Sequence, residues 1–449
     1  MTLTASELRR KLLHIAVGGF AFLLRDMTWT QAASMALAAF VFNAMALPRL
    51  GGRRLWRDAE HGAGYPLGIL LYPVAVLGLI VVFRNDLWMA AAIWAVLAFG
   101  DGMATILGQA LAGPRLPWNP RKGWAGFGAF VVFGATFAAI LIAWTLRLPI
   151  AAWASPTVLA IAVPLALACA LVESMPTALD DNLTVPAAGA CVLPLLAMAE
   201  SDVLLGDPGF PQRLLTGLAI NAVIAALAWK ARSIDGPGAA SAIVIGTLIT
   251  AALGLPGLAV MVAFFVVGSA ATKLGYRVKA ARGIAQEKGG ARGWRNAWAN
   301  GGIAAALALM AGLTIADTRA LFVLAYAAAV ATAAADTGSS EIGKAYGRRT
   351  FLITTFRPVP PGTEGAISLE GTLGGLAAGG IIAAVGALTG LYSPAWAFAI
   401  AAAGLLGSLA ESVIGTVAER RGWLDNDLLN ALNTAIGAGI VLLMARAAA

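Results

Sequence analysis

The chain has 449 residues, 59% of them hydrophobic and only 12% charged, with a mean hydropathy of +0.81. That composition excludes an ordinary soluble domain, and two cysteines and two histidines are too few for a disulfide scaffold or a Cys/His metal centre. The net charge of +8 sits on basic residues that flank apolar runs, a membrane pattern rather than a nucleic-acid footprint.

Apolar runs of about 17–20 residues recur along the whole length, each long enough to cross a bilayer as a helix. They predict an all-α, polytopic transmembrane protein of about fifteen spans, near 12–24, 31–47, 67–83, 87–108, 126–146, 153–172 and 183–199, then 214–229, 238–253, 257–275, 297–315, 319–335, 371–391, 395–415 and 428–445. No cleavable signal is expected, because the first run follows "SELRRK" without a small-residue cleavage site. Cys169 and Cys191 fall within predicted spans and read as small apolar fillers.

With the N-terminus in the cytoplasm, 25 of the 31 Lys and Arg residues fall on cytoplasmic segments, as the positive-inside rule requires. So do 17 of the 23 Asp and Glu residues, at helix ends and in loops. A face carrying both signs suits a polyanion bound together with a divalent cation.

The chain also repeats itself. "AFGDGMATILGQALAG" (98–113) resembles "AAADTGSSEIGKAYGRR" (333–349), and "LVESMPTALDDNLTVPAAGA" (171–190) resembles "LAESVIGTVAERRGWLDNDLLNALNTAIGA" (409–438). Asp101 to Asp336 is an offset of 235 and Glu173 to Glu411 one of 238, so a unit of about seven spans is duplicated. The expected division is 1–199, a linker at 200–213, and 214–449, with the extra span at 214–229 giving both halves the same orientation.

Carboxylates at helix ends, close to Lys/Arg and Gly-rich turns, form a kit for phosphoryl transfer from a Mg²⁺-bound nucleotide. The candidate catalytic residues are Asp101, Glu173, Asp181, Asp336 and Glu411; candidate Mg²⁺ ligands are Asp101, Asp180, Asp181, Asp336, Glu341 and Glu411. Candidate phosphate-binding residues are Asn119, Arg121 and Lys122 in the first half. In the second they are Lys273, Arg292, Asn296, Thr354, Thr355, Gly362, Thr363, Gly365 and Ser368. Asp180, Asp181 and Asn182 equally suit an N-terminal cap for the following helix, and the basic residues equally suit topology markers. No G-x-x-x-x-G-K-[ST] loop is present; "SAATKLG" is not one.

"FGDGMATILGQALAGPRLPWNPRKGWAG" followed by "LVESMPTALDDNLTVP", with "RRKLLHIAVGGF" (9–20) upstream, resembles the phytol kinase branch of the CTP-dependent polyprenol and dolichol kinases. Gly123 and Phe127 depart from that pattern, which usually carries Ser and Ser/Thr there. "SIDGPGAASAIVIG", "FFVVGSAATKLGYRVK", "GWRNAWANGG", "ADTGSSEIGK", "ITTFRPVPPGTEGAISLEGT" and "AESVIG", which span nearly all of 230–440, are similar to the phytyl-phosphate kinase family. The resemblance implies CTP as donor, a membrane isoprenoid alcohol as substrate, and successive formation of its monophosphate and diphosphate. It implies a protein integral to the lipid bilayer, in a bacterial inner membrane with cytoplasmic sites and no nucleic-acid partner. A CTP-dependent cytidylyltransferase that makes a CDP-lipid would use similar parts. A transporter is the alternative of a different class, since tandem repeats are common there.

The charge pattern predicts that loops 48–66, 109–124, 276–296 and 342–368 are cytoplasmic and 200–213 external. Single cysteines introduced in sealed vesicles should react accordingly with an impermeant thiol reagent; labelling of 276–296 from the external face would sink the orientation.

Overall fold

The computed structural model describes residues 5–50, 56, 65–111, 113–286, 290–418 and 421–448. Most of the 48–66 loop, with His61, and also 287–289 and Arg420, lie outside these residues. Among the described residues nine helices are long and apolar enough to cross a membrane, and Leu67–Val82 and Asp181–Ala197 are shorter apolar helices. Among the described residues the only sheet consists of two short antiparallel hairpins. Both cysteines are free, Cys169 buried and Cys191 exposed.

Chain contacts divide the protein into two units, Met1–Met198 and Ala199–Ala449. In the first, α1 (Ala5–Gly18) runs into a 3₁₀ turn, Gly19–Arg25, followed by α2 (Trp29–Val41) and α3 (Leu67–Val82). The long helix α4 (Leu87–Ala110) is next, then a hairpin of β1 (Arg115–Leu116) and β2 (Asn119–Gly123). Helices α5 (Trp124–Thr145), α6 (Pro156–Ser174) and α7 (Asp181–Ala197) complete the unit.

The second unit opens with α8 (Phe210–Lys230) and α9 (Gly236–Lys273), then α10 (Trp294–Gly312) and α11 (Ala316–Tyr346). A hairpin of β3 (Phe351–Leu352) and β4 (Ala366–Ile367) leads to α12 (Leu369–Leu388), α13 (Ala397–Ala418) and α14 (Asn426–Ala448). After α8, the order of elements matches that of the first unit once α9 is counted as two arms. Gly254 takes φ +70°, a left-handed conformation that glycine adopts without strain, and Pro256 follows it. The chain doubles back there. Gly301 lies against Ile245 of one arm and Met261 of the other, and Arg292 lies against both Gly238 and Gly268 near the arms' far ends.

Two expectations are corrected. Asp101 and Asp336 do not end their helices: α4 continues to Ala110 and α11 to Tyr346. Glu411 likewise lies inside α13, which ends at Ala418. The small residues that follow each Asp keep the helix going because they allow a neighbouring backbone to approach closely. A Cβ on Gly338 would stand 2.8 Å from the Gly374 carbonyl oxygen of α12. Asp101 also closes a widened π turn, Val96–Asp101, a distortion often found where a helix aims a functional side chain.

α4 and α11 are the central helices of their units. Each has 78% of its apolar window buried, against at most 50% for any other span. Ala-rich stretches ("AAAIWAVLAFGD", "AYAAAVATAAAD") make this possible by letting helices pack on every side.

Overpacking a close helix contact costs roughly 1–3 kcal/mol. Gly338→Val should therefore lower the melting temperature in detergent, whereas Gly380→Ala on α12, with nothing within 4 Å of the added methyl, should not. Equal melting temperatures for the two variants would contradict the close α11–α12 contact.

Candidate active sites

In the first unit, three carboxylates come from three helices. Asp101 projects from the π turn of α4, Glu173 from the last turn of α6, and Asp181 from the first turn of α7. One oxygen of each lies within 4.8 Å of the others. Two lysines meet them. Lys11 Nζ is 2.6 Å from Asp101 Oδ2, and Lys122 Nζ is 2.7 Å from Glu173 Oε1 and 3.8 Å from Asp181 Oδ2.

Local structure explains the convergence. The β1–β2 hairpin is pinned to the end of α6: Asn119 Nδ2 donates to the Ser174 carbonyl (3.0 Å) and Trp118 Nε1 to Ser174 Oγ (3.0 Å). Lys122, three residues along β2, also donates to the Glu173 carbonyl. Asp180 caps α7 by accepting from Asn182 N (2.9 Å), which sets Asp181 at the start of the helix. Lys11 and His14 share one face of α1, as their spacing of three dictates. His14 Nε2 donates to the Leu97 carbonyl (3.1 Å) and stands 3.6 Å from Asp101 Oδ2, its ring edge-on to Tyr72.

Part of this cluster borders a cavity of about 440 Å³, whose wall includes Arg10, Lys11, His14, Tyr72, Asp101 and Asp181 but not Glu173 or Lys122. Asn182 also lines it, and its Oδ1 is buried without a hydrogen-bond partner. The three carboxylates form an all-oxygen donor set, the type that Mg²⁺ takes while keeping waters. Asp101, Glu173 and Asp181 are the residues that would hold it. Phe127 packs edge-on against Trp118 and Trp124.

In the second unit the Asp336 carboxyl hydrogen-bonds to Glu411 and Ser408. Two carboxyls in contact need a shared proton or a cation between them. They line a cavity of about 110 Å³ with Lys344, Gly362, Thr363, Gly365 and Ser368. The loop between β3 and β4 closes over it, and Ser368 Oγ caps α12 by accepting from Gly371 N (3.0 Å). Asp336 and Glu411 are the candidate cation ligands here.

The remaining candidates lie elsewhere. Arg121 is exposed on β2, and Asn119 is buried and occupied in holding the hairpin. Thr354 and Thr355 are exposed in the turn after β3, outside the cavity lining, and Lys273 is exposed in the last turn of α9. Glu341 is 2% exposed and paired with Lys279, which is fully buried and also donates to the Thr272 carbonyl (2.7 Å); that carboxylate is not among the cavity residues. Arg292 and Asn296 line a separate apolar cleft. Conversely, sequence reasoning left Lys11, His14 and Lys344 out of the candidate sites. The one signal for the first two was the basic, His-containing start of α1.

A family model described as integral membrane protein DUF92 matches residues 219–438. An uncharacterized membrane protein of Synechocystis sp. is 42% identical over 231 residues, 51% of this chain and 90% of that protein. The chloroplast protein VTE6 of Arabidopsis thaliana is 41% identical over 219 residues, 47% of this chain and 65% of that protein. Phytol kinase 1 of Arabidopsis thaliana is 32% identical over 123 residues, 27% of this chain and 40% of the kinase. No solved structure matches. By its likeness to the Synechocystis protein over nearly that protein's whole length, and by the family model, the chain belongs to the DUF92 family of integral membrane proteins.

Proposed function

We propose that the protein is a membrane isoprenoid kinase that phosphorylates an isoprenoid alcohol to its monophosphate and then to its diphosphate, with CTP as donor and Mg²⁺ as cofactor. The observation that carries this reading is the meeting of Asp101, Glu173 and Asp181 with Lys11 and Lys122 beside a cavity walled by apolar helices. The chain's similarity to phytol kinases supports the substrate class.

In the first step the alcohol oxygen attacks the γ-phosphorus of CTP, the bond to the bridging oxygen breaks, and CDP leaves. The alcohol proton passes to a carboxylate of the Asp101–Glu173–Asp181 set, within hydrogen-bond reach of a hydroxyl at the cavity wall. Lys11 and Lys122 offset charge on the transferred group. In the second step an oxygen of the monophosphate attacks the γ-phosphorus of a second CTP, the bond to its bridging oxygen breaks and a second CDP leaves, with Lys344 and the loop residues Gly362–Ser368 receiving phosphate oxygens beside Asp336 and Glu411. Bound Mg²⁺ would neutralise donor phosphate charge in both units.

CTP labelled at the γ-phosphate should place label in lipid; label from the α-phosphate would instead mean cytidylyl transfer, and label from neither would mean that the protein is no transferase. Loss of a positioned acid or base costs about 10²–10⁴-fold in rate. Asp101→Asn or Asp181→Asn should therefore block use of the alcohol while supplied monophosphate still becomes diphosphate. Asp336→Asn or Glu411→Gln should make monophosphate accumulate from alcohol. If Asp101→Asn leaves alcohol phosphorylation intact while Asp336→Asn abolishes both steps, the first unit is no kinase.

Divalent-ion removal supplies a separate check. Excess chelator should abolish transfer and added Mg²⁺ restore it; full activity in chelator would refute a metal–nucleotide mechanism.

A further inference from the structure

The apolar cleft of the second unit is lined by a cation, Arg292, whose side chain has no hydrogen-bond acceptor among the described residues. Arg292 is fixed through its backbone: its N–H donates to the Ser233 carbonyl (3.0 Å), and its carbonyl accepts from Asp235 N (3.2 Å). Its guanidinium lies over the Phe264 ring, 5.1 Å from the centroid, and against Gly268, where a Cβ would stand 3.1 Å from Cζ. Glycine there makes room for the group. Among the described residues no carboxylate, carbonyl or hydroxyl accepts from this side chain. Glu341, the acid whose charge it feels, is already held by Lys279.

Four residues on, Asn296 lines the same cleft. Asn296 lies in the first turn of α10, which starts from Gly293 without a side-chain cap. A helix N-terminus favours an anion through its dipole and its unsatisfied N–H groups. The other walls are almost wholly apolar, with Ile224, Ala228, Ile245, Leu258 and Phe265 around a space of about 100 Å³.

An arginine facing an apolar wall is costly unless an anion meets it. Its planar fork matches a phosphate. Burial lowers Arg292 to about 10, which leaves it cationic at neutral pH. The complement of such a cleft is an amphiphile with an anionic head and one slender apolar tail.

We propose that this cleft seats a single-chain isoprenyl phosphomonoester, with Arg292 and Asn296 holding the head and the α8–α9 wall holding the first carbons of the tail. The isoprenoid identity of the tail rests on the kinase reading; the phosphomonoester head rests on the cleft itself. It is a lipid-phosphate seat set apart from the residues that line the Asp336–Glu411 cavity.

The test is direct binding to the purified full-length protein in detergent, without nucleotide. The probes are geranylgeranyl monophosphate, geranylgeraniol, inorganic phosphate and dioleoyl phosphatidate. A hydrogen bond to a charged group contributes roughly 1.5–3 kcal/mol, so about tenfold or more in affinity rides on Arg292. The monophosphate should bind at least that much more tightly than the alcohol. Arg292→Met should remove the difference, and Arg292→Lys should recover part of it. Ala228→Trp, which fills the cleft from its apolar side, should weaken binding of the monophosphate even with Arg292 intact.

Unchanged monophosphate affinity in Arg292→Met and Ala228→Trp would overturn the proposal. So would inorganic phosphate or phosphatidate binding as tightly as the monophosphate, because the seat would then not select a single-chain amphiphile. Monophosphate binding that depends on Arg292 in a protein with no phosphoryl transfer would uphold the seat and refute the kinase.

Discussion

An ionised carboxylate inside an apolar helical bundle persists only where a cation or several donors touch it, because the bilayer and the packed helices offer no water. This constraint organises both units. Lys11 on α1 meets Asp101 on α4, Lys122 on the hairpin meets Glu173 on α6, and Lys279 meets Glu341 on α11. Each pair joins elements far apart in sequence, so the position of α1 against α4, and of the hairpin against α6, follows from charge pairing as much as from apolar contact. Removing one partner of such a pair is expensive, on the order of 3–5 kcal/mol, since the other is left buried and uncompensated.

The two units meet the constraint differently at their central aspartates. In the first, Lys11 is in contact with Asp101 and Lys122 with Glu173, so much of the negative charge is offset by lysines already present. In the second, Asp336 contacts another carboxyl, Glu411, and a hydroxyl, Ser408, with Lys344 at the cavity wall. The same order of helices and nearly the same Asp-to-Glu spacing, 72 and 75 residues, thus support two electrostatic environments. The first unit carries the larger cavity, about 440 Å³ against 110 Å³.

Much of the fold is legible in the sequence because bilayer thickness fixes helix length and periodicity is not needed to find apolar runs. The meeting of Glu173 with Asp181 was readable because Pro176 and the polar turn "TALDD" lie between their helices. The position of Asp336 within its helix, one residue past the predicted span, was not. A run of small residues reads as a loop in water, yet in a tightly packed bundle it continues as helix. Glu341 looked like a metal ligand because it follows Asp336 in a polar stretch; five residues is about one and a half turns, which carries it to another face, where Lys279 holds it. Arg292 and Asn296 read as candidate phosphate contacts, with no sign in the sequence of the apolar residues around them. Only the tertiary arrangement sets them in a cleft with Phe264, Phe265 and Ile245, outside the Asp336–Glu411 cavity. Lys11 and His14 were passed over because a basic residue at the start of a span is usually a topology marker, and no local pattern reveals a partner ninety residues away.

The turn at Gly254 bears on how the protein is made. Each arm of α9 has about eighteen residues, or roughly 27 Å at 1.5 Å per residue, enough to cross the hydrocarbon layer. The link between the arms has no charged residue and almost no length: "LGLPG" leaves no soluble loop that would have to be carried across during biosynthesis. The two arms can therefore leave the insertion machinery as one closed hairpin, each covering the other's polar backbone contacts. The sidedness of both is then decided by the charges at the open end, Lys230 and Arg232 before the first arm and Lys273 at the end of the second.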